Sequence, residues 1–128
     1  ICIKRRINMA TYTTTRVLTR PNTSTQWPSE VHPGRRREIR RGDAIASWSE
    51  TISNNELTLT GVTVWKSKED YYAKRADKDS DQISEVCTTI SNQINTYMSL
   101  NNITGKVTEE DGTVRVFNAS NKTWEVQE

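Results

Sequence analysis

The chain has 128 residues and a mass of 14.7 kDa, with 33% hydrophobic residues, 27% charged residues and a mean hydropathy of -0.79, which allows one small domain. Leu, Ile, Val and Phe make up only 24 of the residues, a share typical of disordered chains when net charge is also large, yet the net charge is only +2 and four Trp and four Tyr supply large buriable surfaces. The balance excludes a disordered chain and predicts a folded domain with a thin core, for which a homodimer is the expected remedy.

The first methionine is Met9, and the preceding ICIKRRIN is expected to be an upstream leader or remnant, leaving 9–128 as a single domain. Without Lys4, Arg5 and Arg6 the net charge falls from +2 to -1. No secretory pattern follows the basic start, and no window approaches the roughly 20 apolar residues of a membrane span. No membrane contact is therefore expected, and a cytoplasmic location is. Cys2 and Cys87 form neither a disulfide framework nor a zinc spacing, and Cys87 falls on an apolar helix face as an inert core thiol.

In chain order, TYTTTRVLT over Thr11–Thr19 is dense in β-branched residues and ends at Pro21, which predicts a strand. Pro21–Gly42 holds all three prolines, Trp27, His32 and five arginines, and reads as a long connection with room for one helical turn or a short helix. Ile45–Ser53 alternates imperfectly and Leu57–Trp65 cleanly, so the two predict an antiparallel hairpin around Asn54, Asn55 and Glu56. Gly61, in the middle of the second strand, suggests a bulge or a close backbone approach.

Ser67 with Asp70 three residues on is a capping-box variant that starts a helix over Lys68–Ala76, on which Tyr71 and Tyr72 are not expected to face the same way. From Ile83 the apolar positions Val86, Cys87, Ile90, Ile94, Tyr97 and Met98 recur at helical spacing, so a helix over about Ser80–Leu100, ended by Asn101 and Asn102, should lay one face on a sheet. Asp111-Gly112 is a hairpin signal between strands at Ile103–Thr108 and Thr113–Phe117, and Thr123–Gln127 reads as an edge strand after a second turn. The order is that of the α+β, ferredoxin-like β-α-β-β-α-β fold, with helices on one face of an antiparallel sheet and a C-terminal hairpin extension. Covering the other face with a second copy would give a dimeric α+β barrel.

The segment LTLTGVTVWKSKEDYYA, Leu57–Ala73, resembles the third strand and second helix of the dimeric α+β barrel superfamily, which includes antibiotic-biosynthesis-monooxygenase-like proteins. A strand ending in an aromatic, then Ser-x-Glu and an aromatic in the helix, carries the likeness. It implies either a protein without chemistry, with Trp65 a core or dimer-interface aromatic, or a cofactor-independent monooxygenase-like enzyme acting on a small aromatic or polyketide-like substrate, with Trp65 beside the cavity. The start TYTTTRVLTRPNTSTQWP and the Thr- and Asn-rich style also resemble small proteins of marine tailed phages.

Among the chain's own chemistry-bearing residues, His32 is the sole histidine and stands in a Pro-Gly connection, where a solvated imidazole is expected in place of a haem or metal ligand. The acidic groups Glu69 with Asp70, Asp79 with Asp81, and Glu109–Asp111 lie at helix starts or turns, where structural use is expected. GRRREIRR concentrates Arg35, Arg36, Arg37, Arg40 and Arg41, read first as a solvated or locally ion-paired connection, then as suited to an acidic protein surface or to nucleic-acid phosphates, the last disfavoured by the near-neutral total charge. The expectation is a homodimeric binding or structural protein without catalysis, metal or cofactor, phage particles being one setting for it. The monooxygenase-like enzyme near Trp65 is the alternative.

Overall fold

The computed structural model describes residues 10–27, 44–76 and 92–127. Six strands form one antiparallel sheet: β1 (Tyr12–Thr19), β2 (Ile45–Ser53), β3 (Thr58–Trp65), β4 (Thr104–Glu109), β5 (Val114–Asn118) and β6 (Thr123–Val126), in the spatial order β2-β3-β1-β4-β5-β6. Two short helical segments accompany the sheet, α1 (Lys68–Ala76) after β3 and α2 (92–100) before β4.

The expected ferredoxin-like β-α-β-β-α-β domain, with a helical layer over one face and closure into a dimeric α+β barrel, is corrected by this arrangement. The described chain is mostly one six-stranded antiparallel sheet with two short helical segments. The physical reason lies at the C-terminus. Segments read as an extension alternate strictly and turn tightly, so β5 and β6 continue the sheet beyond β4 as full members. Of the helix expected over Ser80–Leu100, the described part is 92–100. The leader, the arginine run, His32 and Cys87 lie outside the described residues.

Strand alternation sorts the side chains cleanly. Tyr12, Thr14, Arg16 and Leu18 on β1 stand opposite Trp65, Thr63, Gly61 and Leu59 on β3, and all eight point to one face. Gly105, Val107 and Glu109 of β4, then Arg115 and Phe117 of β5, join the same face. All the buried strand residues lie there, the large apolar ones in two clusters and Thr14, Thr63, Glu109 and Arg115 outside both. Leu18, Leu59, Ile103 and Phe117 pack with Ile94 and Met98 of α2, whereas Tyr12, Ala44, Ile45 and Trp65 pack with Tyr71 of α1. The opposite face carries Thr13, Thr15, Val17 and Thr19 of β1, Thr58, Thr60, Val62 and Val64 of β3, and Ser47, Ser49, Thr51 and Ser53 of β2, none of them buried.

Local chemistry explains the breaks. β2 is bulged between Ile45 and Ser47, which accounts for its imperfect alternation and returns Trp48 and Ile52 to the face of Ile45. Gly61 is in plain register with no bulge, standing between Arg16 and Glu50 in a cross-strand row. Asn54, Asn55 and Glu56 all adopt left-handed backbone conformations, with φ of 55°, 56° and 67°. Arg20, 6% exposed, holds this turn by donating from Nε to the Glu56 carbonyl at 2.8 Å and from Nη1 to the Thr25 carbonyl at 2.6 Å. Beyond it, the described start of the long connection is an Asn22-centred turn, where the Ser24 and Thr25 amides donate to Oδ1 at 3.0 and 3.1 Å. α2 ends as expected at Asn101 and Asn102: Asn102 has φ 56°, and the Ile103 amide donates back to the Met98 carbonyl at 3.0 Å.

Gly105 lies where side chains from β1, β6 and α2 crowd together. A Cβ there would overlap the Trp124 ring and stand 3.0 Å from both Leu18 Cδ2 and Met98 Cε. Gly105→Ala is expected to destabilise the fold by about 1–3 kcal/mol through overpacking, read as a lower midpoint in denaturant unfolding; an unchanged midpoint would show that Trp124 moves aside freely.

Candidate functional site

Strand alternation brings Glu109 to the core face, two residues beyond Val107, where an apolar side chain would be the ordinary choice. Its side chain is fully buried. Three hydroxyl donors and one guanidinium converge on it. The Tyr12 hydroxyl donates to Oε1 at 2.8 Å and the Tyr72 hydroxyl donates to the same oxygen, while the Tyr71 hydroxyl donates to Oε2 at 3.3 Å and Arg115 Nη1 pairs with Oε2. A carboxylate offers about four lone-pair positions. Both oxygens are thus filled from within the chain.

Each donor has a local cause. Ser67 caps α1, its Oγ accepting the Asp70 amide at 3.0 Å and donating to the Asp70 carboxylate at 3.0 Å, and this fixes where the next two residues emerge. The expectation that Tyr71 and Tyr72 diverge is corrected: their rings stand edge to face, 5.0 Å apart, and both hydroxyls reach Glu109. Tyr72 also lies 6.0 Å from the Arg115 guanidinium. Tyr12 comes from the start of β1 beside Trp65, its strand end secured by Glu110, which accepts the Thr13 amide at 2.9 Å.

Trp65 is 9% exposed, its ring 5.2 Å from Tyr71 and its Nε1 donating to Thr14 Oγ1 at 3.1 Å. These are the contacts of a core aromatic. A depression of about 450 Å³ lies elsewhere, between 116–119 and 125–127 on the last hairpin. Among the described residues no group of three His, Cys, Asp or Glu side chains is placed to hold a metal ion, and no helix is long and apolar enough to cross a membrane.

Glu109 was legible in principle. Gly105, Val107 and Glu109 form an i, i+2 series that demands the core face, but the neighbouring Glu110 and Asp111 make the triplet look like turn chemistry. That turn reading holds for Asp111, whose Oδ1 accepts the Thr113 amide at 2.9 Å and whose Oδ2 meets Lys68 Nζ at 3.2 Å. Lys68 also sits 5.6 Å over the Tyr12 ring, tying the start of α1 to the β4–β5 turn.

Burial pushes the Tyr12 phenol up to about 12, and the nearby Asp111 carboxylate adds to the rise. A phenol raised in the folded state stabilises below its ordinary value near 10, and that contribution is lost as pH rises through the folded value. Tyrosinate absorbance should therefore show one ionisation delayed to about pH 12, which Tyr12→Phe removes; a titration unchanged by the substitution would reassign the group. The Thr113 amide and hydroxyl, then Lys68, hold the Asp111 carboxyl well below the usual carboxylate range. Its contribution is present above about pH 4 and lost as pH falls further. Asp111→Asn should accordingly be less stable than the parent at neutral pH, with the gap closing as the solution is acidified; a gap independent of pH would assign the effect to the turn alone.

Compared with models of protein families, with curated proteins and with solved structures, the chain matches none.

Proposed function

We propose that this chain is a binding or structural protein that works through its folded surface, without catalytic turnover. The observation that carries the reading is the saturation of Glu109. The most catalysis-like constellation among the described residues has both carboxylate oxygens engaged, by the hydroxyls of Tyr12, Tyr71 and Tyr72 and by ion pairing to Arg115, and its side chain is fully buried, which favours a structural role over a base or acid open to an outside molecule. Trp65 likewise spends its ring and its N–H on neighbours in the core, which favours packing over a cavity wall.

The working surface in this reading is the open sheet face, and a second copy of the chain is its first partner. Across β2, β3 and β1 that face is built from Ser, Thr and Val with no charged side chain, small enough to lie flat and of one character throughout. Such a surface is self-complementary, as a two-fold interface requires. Arg35, Arg36, Arg37, Arg40 and Arg41 are proposed to engage an acidic protein surface in a larger assembly, a virion being one setting and the cytoplasm of a cell the other.

Light scattering should give a particle of twice the chain mass. Val62→Glu with Thr15→Arg, placed in the middle of the uncharged area, should convert it to a folded monomer with unchanged circular dichroism. A monomer in the parent protein at high micromolar concentration would overturn the self-association. Turnover of any small aromatic substrate, abolished by Glu109→Gln in a folded chain, would overturn the non-catalytic reading.

A further inference from the structure

α1 has an unusual attachment for a helix packed on a sheet. Its sequence, Lys-Glu-Asp-Tyr-Tyr-Ala-Lys-Arg-Ala over Lys68–Ala76, contains no Leu, Ile, Val or Met, so two tyrosines supply its large apolar contact. A helix of this length does not persist alone in water. It must therefore be held by its docking, and the described polar ties to the sheet beyond β3 run through one place. Tyr71 and Tyr72 end on Glu109, and Lys68 ends on Asp111 two residues further along.

The core beneath is divided in a matching way. Tyr12, Ala44, Ile45, Trp65 and Tyr71 form one cluster, while Leu18, Leu59, Ile94, Met98, Ile103 and Phe117 form another at the opposite end of the same face. Among the described side chains, the second cluster contains none from α1. Between the two lie Thr14, Arg16, Thr63 and Val107, a stretch more polar than either. Loss of the first cluster's cover thus leaves the second cluster and the strand ladders standing.

We infer that Glu109 is a latch: it fastens α1 to the sheet, and its release lets α1 open as a unit and uncover an aromatic floor of Tyr12 and Trp65 while the six strands stay paired. Local openings of this kind draw on elements with few buried apolar contacts, and α1 is such an element. Arg115 completes the device from the sheet side. Its guanidinium pairs with Oε2 from the strand next to β4, so the two tyrosine hydroxyls meet an acceptor held from the sheet side.

Amide hydrogen exchange of the full chain, resolved by peptide, tests this. In Glu109→Gln, exchange of the α1 amides should accelerate by on the order of tenfold or more, as loss of charge-assisted hydrogen bonds implies, while protection in β1, β3 and β4 is retained. Should that substitution unfold the chain, Tyr71→Phe with Tyr72→Phe decides the matter, because it keeps both rings and the Glu109–Arg115 pair and removes only the two hydroxyls. The same selective acceleration in α1 is expected there. Acceleration spread equally over sheet and helix would make the carboxylate a determinant of global stability, and unchanged exchange in α1 would place its anchorage elsewhere; either result overturns the latch.

Discussion

A carboxylate placed on the core side of a sheet imposes conditions on everything near it. Glu109 occupies such a position, and removing an ionised group from water is tolerable only when donors replace the water it loses. The replacements come from three separate parts of the chain: Tyr12 from the first strand, Tyr71 and Tyr72 from α1, and Arg115 from the strand paired to its own. Parts distant in sequence are thereby tied at one point, where the Ser67 cap of α1 and the Asp111–Gly112 turn after β4 deliver their neighbours. Arg20 plays a lesser counterpart at the other end of β1, where backbone carbonyls receive its buried guanidinium and the loop folds back on the sheet.

The two faces of the sheet differ in kind. One carries aromatic and aliphatic clusters at its ends with charged and hydroxylated residues between them, and the other, across β2, β3 and β1, is an uncharged array of Ser, Thr and Val. A thin aliphatic content is consistent with this division. The chain concentrates its large side chains at two places and uses hydrogen bonds to hold the interval between them.

Sequence patterning revealed the parts governed by local rules. β1, the β2–β3 hairpin, the Ser67 cap, the Asn101–Asn102 stop and the Asp111–Gly112 turn are each set by residues within a few positions of one another, and each stands where its residues imply. Global arrangement was a different matter. Whether the strands after Asn102 form an appendage or continue the sheet depends on pairing between β4 and β1, some ninety residues apart, for which alternation supplies the face but no partner. Glu109 was obscured for a similar reason. An acidic triplet beside a glycine is ordinary turn chemistry, and only the long-range approach of Tyr12, Tyr71 and Tyr72 separates its first member from the other two.

The bulge in β2 bears on how the molecule behaves in a crowded solution. β2 is an edge strand nine residues long, and its outer backbone groups would be a ready template for a strand from another chain. With the regular ladder interrupted between Ile45 and Ser47, an incoming strand could stay in step only along the remainder, from Ser47 to Ser53. The opposite edge, β6, is only four residues long. Broken at one border and brief at the other, the described sheet presents an incoming strand with less regular edge than its strand lengths alone would give.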